Sequence, residues 1–180
     1  MKIVETALPD VLCIEPLVHG DDRGFFMETY HADRFAELTG IGADFVQDNH
    51  SRSSQGVLRG IHFQVNRPQG KLVRAVIGEV LDVAVDLRRQ SPNFGQHVSY
   101  RLSAQNKHQL WIPPGFGHGF LVLSEFAEII YKTTDYWVGE FDRSVIWNDE
   151  SLAIDWGIET PLLSEKDKTA PRLIEAELYD

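Results

Sequence analysis

The side chains in this sequence best suited to moving a proton are its histidines, His19, His31, His50, His62, His97, His108 and His118. An imidazole titrates near neutrality and so makes a ready general base, although a given histidine in a soluble domain is more often structural or solvent-facing. Two stand apart. His62 lies in Arg59-Gly60-Ile61-His62-Phe63-Gln64, where apolar neighbours imply partial desolvation and the second ring nitrogen needs a partner. His118 lies in Gly115-Phe116-Gly117-His118-Gly119, read as a glycine-rich turn at the start of a strand, where a permissive backbone lets a ligand approach. Strict alternation puts Arg59 and His62 on opposite faces of one strand. If both serve one site, a bulge near Gly60 must re-aim one of them; otherwise Arg59 is a surface residue. Asp82 and Asp86 interrupt the apolar run Leu81-Asp82-Val83-Ala84-Val85-Asp86-Leu87. They share a face, either a barrel interior or the wet side of a sheet, with solvent exposure the default for at least one. Tyr131, in Ile129-Ile130-Tyr131-Lys132, is by default a packed strand tyrosine.

The elements that must hold these groups are strands. Residues 71–87 are rich in Val and Ile and are broken at Gly78-Glu79, which predicts two strands with a turn or bulge between them. Further β-type runs cover residues 57–64, 97–102, 109–112, 119–123, 127–133 and 144–147, separated by Pro, Gly, Asn or Asp. Turn signals about every 8 to 12 residues favour an all-β sandwich or barrel. Helical signal is confined to residues 31–38, with Gly40 as the residue after the helix end, and a turn at 164–168. Without helices between strands a βαβ sheet is not expected. The glycine run at 115–119 leads into Phe120-Leu121-Val122-Leu123 and not into a helix N-terminus, so it is not a phosphate loop. Walker A and Gly-x-Ser-x-Gly patterns are missing from the sequence.

A chain of 180 residues buries roughly 70% of its unfolded surface as one domain, and no linker or repeat divides it. No apolar run approaches the roughly 18 residues of a spanning helix, and the first ten residues carry Glu5 and Asp10 without the apolar core of a secretory signal. Cys13 is the single cysteine, which excludes an intramolecular disulfide and cysteine-rich zinc sites. A cytoplasmic location is the expectation. The net charge of −10 disfavours non-specific nucleic-acid binding; an anionic ligand would need local Arg and Lys set against the global field.

Several stretches together resemble a known family. They include Asp22-Arg23-Gly24-Phe25-Phe26-Met27-Glu28, Gln47-Asp48-Asn49-His50-Ser51, Gly56-Val57-Leu58-Arg59-Gly60-Ile61-His62 and Gln69-Gly70-Lys71-Leu72-Val73-Arg74. Asp82-Val83-Ala84-Val85-Asp86-Leu87-Arg88, Trp111-Ile112-Pro113-Pro114-Gly115-Phe116-Gly117-His118-Gly119-Phe120, Tyr131-Lys132, Trp147-Asn148-Asp149 and Leu163-Ser164-Glu165-Lys166-Asp167 follow in the same order. The collinear pattern is similar to that of the dTDP-4-dehydrorhamnose 3,5-epimerases and covers nearly the whole chain. The resemblance implies a cupin-like jelly-roll (double-stranded β-helix) with a few short helices, active as a homodimer without a cofactor. It implies epimerisation at C3 and C5 of dTDP-4-dehydro-6-deoxy-D-glucose to dTDP-4-dehydro-L-rhamnose in dTDP-L-rhamnose biosynthesis. It also implies His62 as general base, Asp167 as its carboxylate partner, Tyr131 as the acid on the opposite face, with Tyr136 the alternative, and Lys71 as a cation at the keto oxygen. Arg23, Glu28, Gln47, Asn49, Arg59, His118 and Lys168 fall where the family holds nucleotide and diphosphate, and the resemblance counts Asp48 and Asp142 among the substrate-binding positions. Asp142 stands where the family usually has glutamate, a longer reach.

Two rival readings follow from the same residues. Gly56 with His62, and Pro113-x-Gly115-x-x-His118, resemble parts of the metal-binding cupin motifs, but Gln64 stands where a second histidine is required, leaving too few ligands for a transition metal. A non-catalytic sugar-nucleotide-binding module would have no need of His62, Lys71, Tyr131 and Asp167 together.

Overall fold

The computed structural model describes residues 1–179. The strands are β1 (Lys2–Glu5), β2 (Leu12–Glu15), β3 (Val18–Asp21), β4 (Gly24–Met27), β5 (Gln47–Ser54), β6 (Leu58–Gln64), β7 (Lys71–Ile77), β8 (Glu79–Asp86), β9 (His97–Ser103), β10 (Gln109–Ile112), β11 (Phe116–Val122), β12 (Phe126–Thr133) and β13 (Asp142–Ser144). Two short helices are α1 (Ala32–Thr39) and α2 (Glu165–Lys168). One sheet runs β1-β2-β10-β7-β12-β5, the facing sheet β13-β6-β11-β8-β9, and β3-β4 is a separate hairpin. Strands adjacent in sequence, such as β11 and β12, lie in different sheets, as expected of an all-β, cupin-like jelly-roll.

The two sheets close on a shared core in which Val73, Ile112 and Ile129 of the first meet Val80, Val98, Leu102 and Phe120 of the second. The outer face of the second sheet is covered in turn: Leu58, Ile61, Val83 and Val85 pack with Trp156, Leu173 and Ala176 of the C-terminal segment. That double burial explains why β8 is buried on both faces from Asp82 to Asp86 and does not alternate between buried and exposed positions. On the first sheet α1 sets Phe35 edge-on to Trp111, 5.5 Å between ring centroids, and ends at Gly40 in the left-handed region with φ 71°.

The break expected at Gly78-Glu79 separates β7 from β8, and Gly78 has φ +73°. The expected strands at 57–64, 97–102, 109–112 and 127–133 are present with ends shifted by at most one residue. Two expectations need correction. Strand β11 begins at Phe116, so His118 lies inside it and not in a turn; its cross-strand partner is His62. The strand expected at 144–147 is instead β13, Asp142–Ser144. Among the described residues, no helix is long and apolar enough to cross a membrane.

Candidate active site

His62 lies on β6, whose pairing with β11 carries a bulge. His118 faces His62 and Phe120 faces Arg59, so three residues of β6 span two of β11. The extra residue falls at Gly60, which has φ +125° and where a Cβ would stand 2.7 Å from the His118 carbonyl oxygen. Only glycine fits there, and the bulge brings Arg59 and His62 to the same cavity in spite of their spacing. Lys71 of β7, His118, Tyr131 of β12 and Asp142 also line this cavity, of about 250 Å³.

His62 Nε2 lies 2.5 Å from Asp167 Oδ1. Asp167 is itself held by α2. Ser164 caps that helix, accepting from the Asp167 backbone N–H at 3.1 Å, while its hydroxyl donates to Asp167 Oδ2 at 2.8 Å. Burial pushes the Asp167 carboxyl up, but the His62 hydrogen bond and charge, the Ser164 hydroxyl and the nearby Lys166 together bring it below its ordinary value. An ionised carboxylate only accepts, so Nε2 of neutral His62 carries the proton and Nδ1 keeps the lone pair.

A second pair lies deeper. His118 Nε2 sits 2.9 and 3.0 Å from the two oxygens of Asp82, which is fully buried. Burial lowers the His118 pKa, against the opposing pull of Asp82. Lys71 is also enclosed: burial lowers its ammonium to about 8, partly offset by Asp82 and Asp142. The Tyr131 hydroxyl is pushed up by burial, with Arg59 opposing, and so holds its proton near neutral pH. Arg59 Nε donates to Ser53 Oγ at 3.0 Å, and Lys166 Nζ reaches Asp142 Oδ2 at 2.5 Å. Cationic groups therefore crowd this cavity although the whole chain carries −10.

Other expected site residues lie elsewhere within the chain. Arg23 pairs with Asp21 on the β3-β4 hairpin, Glu28 pairs with Arg34, and Asp48 pairs with Lys132. Asp48 and Asn49 line a separate hollow. Gln47 accepts from the Trp137 backbone N–H at 3.1 Å. Lys168 pairs with Glu165 at 2.6 Å, and it is the neighbouring Lys166, not expected from sequence, that joins Lys71 in the cavity wall. Also unassigned from sequence were Trp137 and Gln69 of the wall and Asp82 behind His118. Asp82 and Asp86 are both fully buried, so the default of exposure fails for both; Asp86 binds Arg88 and Ser91 instead.

The arrangement supplies a base with a fixed tautomer, a phenol across the cavity from it and a cation between sheets. Comparison with known proteins identifies the same family. The profile of the family described as dTDP-4-dehydrorhamnose 3,5-epimerase matches residues 5–175. The chain is 58% identical over 180 residues to the dTDP-4-dehydrorhamnose 3,5-epimerase of Pseudomonas aeruginosa, covering 99% of each. It is 55% identical to that of Salmonella typhimurium, covering 100% of each. It also superposes with TM-score 0.95 on the crystal structure of the Legionella pneumophila dTDP-6-deoxy-D-glucose-3,5-epimerase in complex with dTDP-4-keto-L-rhamnose, at 51% identity over 97% of this chain and 93% of that one. The fold, the matched length and these identities agree: the chain belongs to the dTDP-4-dehydrorhamnose 3,5-epimerase family.

Proposed function

We propose that the chain epimerises dTDP-4-dehydro-6-deoxy-D-glucose at C3 and C5 to dTDP-4-dehydro-L-rhamnose, in dTDP-L-rhamnose biosynthesis. One observation carries the reading: in a chain of this family, His62 with its Asp167 partner and Tyr131 look into one cavity from opposed sheets. His62 Nδ1 takes the proton from the carbon beside the ketone. The C–H electron pair moves into the carbon–carbon bond, and the carbonyl oxygen becomes an enolate oxygen beside the Lys71 ammonium. The Tyr131 phenol then returns a proton from the other face, and its phenolate recovers one from solvent as His62 gives its own up, so no atom is gained or lost. A positioned acid or base contributes about 10²–10⁴-fold, and an oxyanion donor such as Lys71 about 10²–10³-fold. No cofactor enters this scheme.

The cavity of about 250 Å³ is of a size for a sugar ring, so the diphosphate and nucleotide extend past its rim, where Arg59 and Lys166 answer their charge. His118 and Asp142 face the sugar in the same scheme. Gln47, Asp48, Asn49 and Lys168 remain candidates for the nucleotide and diphosphate. Arg23 and Glu28 stand on or beside the hairpin, away from the cavity, and their assignment requires a second copy of the chain. A homodimer is part of the proposal, supported by Phe25 and Phe26, 61% and 73% exposed on β4. The chain acts as one domain over residues 1–180 in a cytoplasmic setting, consistent with its lone buried Cys13.

Proton NMR of the purified protein with dTDP-4-dehydro-6-deoxy-glucose in D₂O tests the reading. Deuterium should enter at C3 and C5 while the product configuration appears. Tight binding with no exchange at either carbon would reduce the protein to a sugar-nucleotide-binding module.

A further inference from the structure

The segment at residues 134–138 carries Trp137 into the cavity wall, and two glutamine side chains hold it there. Gln64, the last residue of β6, is only 3% exposed. Its Nε2 donates to the Arg67 carbonyl at 2.9 Å and the Tyr136 carbonyl at 3.2 Å, and its Oε1 accepts from the Val138 N–H at 2.6 Å. Gln47, at the start of β5 in the other sheet, accepts from the adjacent Trp137 N–H at 3.1 Å while its Nε2 donates to Asn49 Oδ1 at 2.9 Å. Successive backbone N–H groups, at 137 and 138, are thus tied one to each sheet.

We infer that Gln64 is a positioning residue that sets the Trp137 wall of the substrate cavity, using both ends of its amide as a latch between β6 and the 134–138 segment. Three features support this. The amide is satisfied on both sides at a buried position, which is the pattern of a group retained for geometry. The indole it positions lines the cavity yet is 59% exposed, so a ligand in the cavity covers it. Finally, Gln64 is two residues from His62 on the same strand, so one strand fixes both the base and the wall opposite the ligand. The position that would hold a metal ligand in a metal cupin is here occupied by a side chain committed to the backbone. The inference rests on the epimerase reading for its substrate; Gln64 itself borders the cavity, but its amide is committed to the Arg67, Tyr136 and Val138 backbone, so its effect runs through Trp137.

The test is Gln64→Leu, alone and with Trp137→Ala. Loosening the wall should raise KM and the Kd for dTDP about tenfold, the net worth of one or two hydrogen bonds, with kcat changed less than about twofold. Without ligand, acrylamide should quench the fluorescence of Gln64→Leu more than that of the wild type, and the increase should be missing in the Trp137→Ala background. Trp111 and Trp156 are buried at 2% and 4% exposure and Trp147 is partly buried, so the difference reports Trp137. In the Trp137→Ala background Gln64→Leu should add little to KM, as for two residues acting as one unit. An unchanged KM and quenching, or a full additional loss in that background, would overturn the latch. If Gln64→Leu fails to fold, Gln64→Glu is measured the same way: it still accepts from Val138 but loses both donations. A wild-type protein that neither epimerises nor binds dTDP would sink the functional reading, while the quenching comparison would still decide the latch.

Discussion

At the scale of the residue, proton removal and proton return fall to different side chains in the proposed reaction and are separable by mutation. In Tyr131→Phe the His62 imidazole still forms the enolate and gives the proton back to the face it left. Deuterium exchange should therefore persist while inversion falls by about 10² or more relative to it, the usual general-acid factor; equal loss of both would transfer the acid role to Tyr136 or make Tyr131 a stabiliser of the enolate. Lys71 gives a pH prediction. Burial favours its neutral amine and lowers its pKa to about 8, while the ammonium is the form that steadies an enolate oxygen. The kcat/KM of the wild type should therefore decline as pH rises through about 8, with that limb lost in Lys71→Gln along with about 10² in rate. A profile flat from neutral pH upward would remove Lys71 from the oxyanion. His62 was legible because apolar neighbours marked it as desolvated. Asp82 was not, because a carboxylate in an apolar strand looks the same from sequence whether it faces water or a buried imidazole. Lys166 escaped notice in favour of Lys168, since the direction of a side chain on a single helical turn is set by packing and not by spacing.

At the scale of the element, the β6 bulge is the feature on which the site depends. The sequence identified both the conflict between Arg59 and His62 and its remedy at Gly60, because alternation is strict and glycine marks its exceptions. Gly60→Ala places a Cβ against β11 at a positive φ, and should cost on the order of 3 kcal/mol of stability or prevent folding. Urea unfolding measures this, and a cost under about 0.5 kcal/mol would mean the bulge tolerates a side chain. The apolar strands β7, β8, β10 and β12 were readable from periodicity. Strand β5 was not, because Gln47-Asp48-Asn49-His50-Ser51-Arg52-Ser53-Ser54 is polar on both faces and is held by its full ladder to β12. The short strands β1 to β4 similarly owe their form to pairing, which a local reading does not see.

At the scale of the molecule, length and strand spacing narrowed the chain to one all-β domain, the net charge of −10 required any site for an anion to be locally cationic, and the ordered run of motifs supplied the substrate. What composition does not carry is which residues a second copy would contribute. Arg23 on the hairpin and the exposed Phe26 beside it lead to a prediction: the wild type should sediment at twice the chain mass, and Phe26→Asp should shift it toward monomer with a raised KM for the nucleotide sugar. A monomeric, fully active wild type would remove Arg23 and Glu28 from the site.

The central claim is that His62, held by Asp167, is the base. The most direct measurement is solvent deuterium incorporation into dTDP-4-dehydro-6-deoxy-glucose by His62→Ala beside the wild type, followed by proton NMR, with near-ultraviolet circular dichroism confirming that the variant is folded. One imidazole facing a cavity contributes little packing, so the fold should survive. Exchange at C3 and C5 should disappear together with inversion. A folded His62→Ala protein that still exchanges those protons at near the wild-type rate would contradict it.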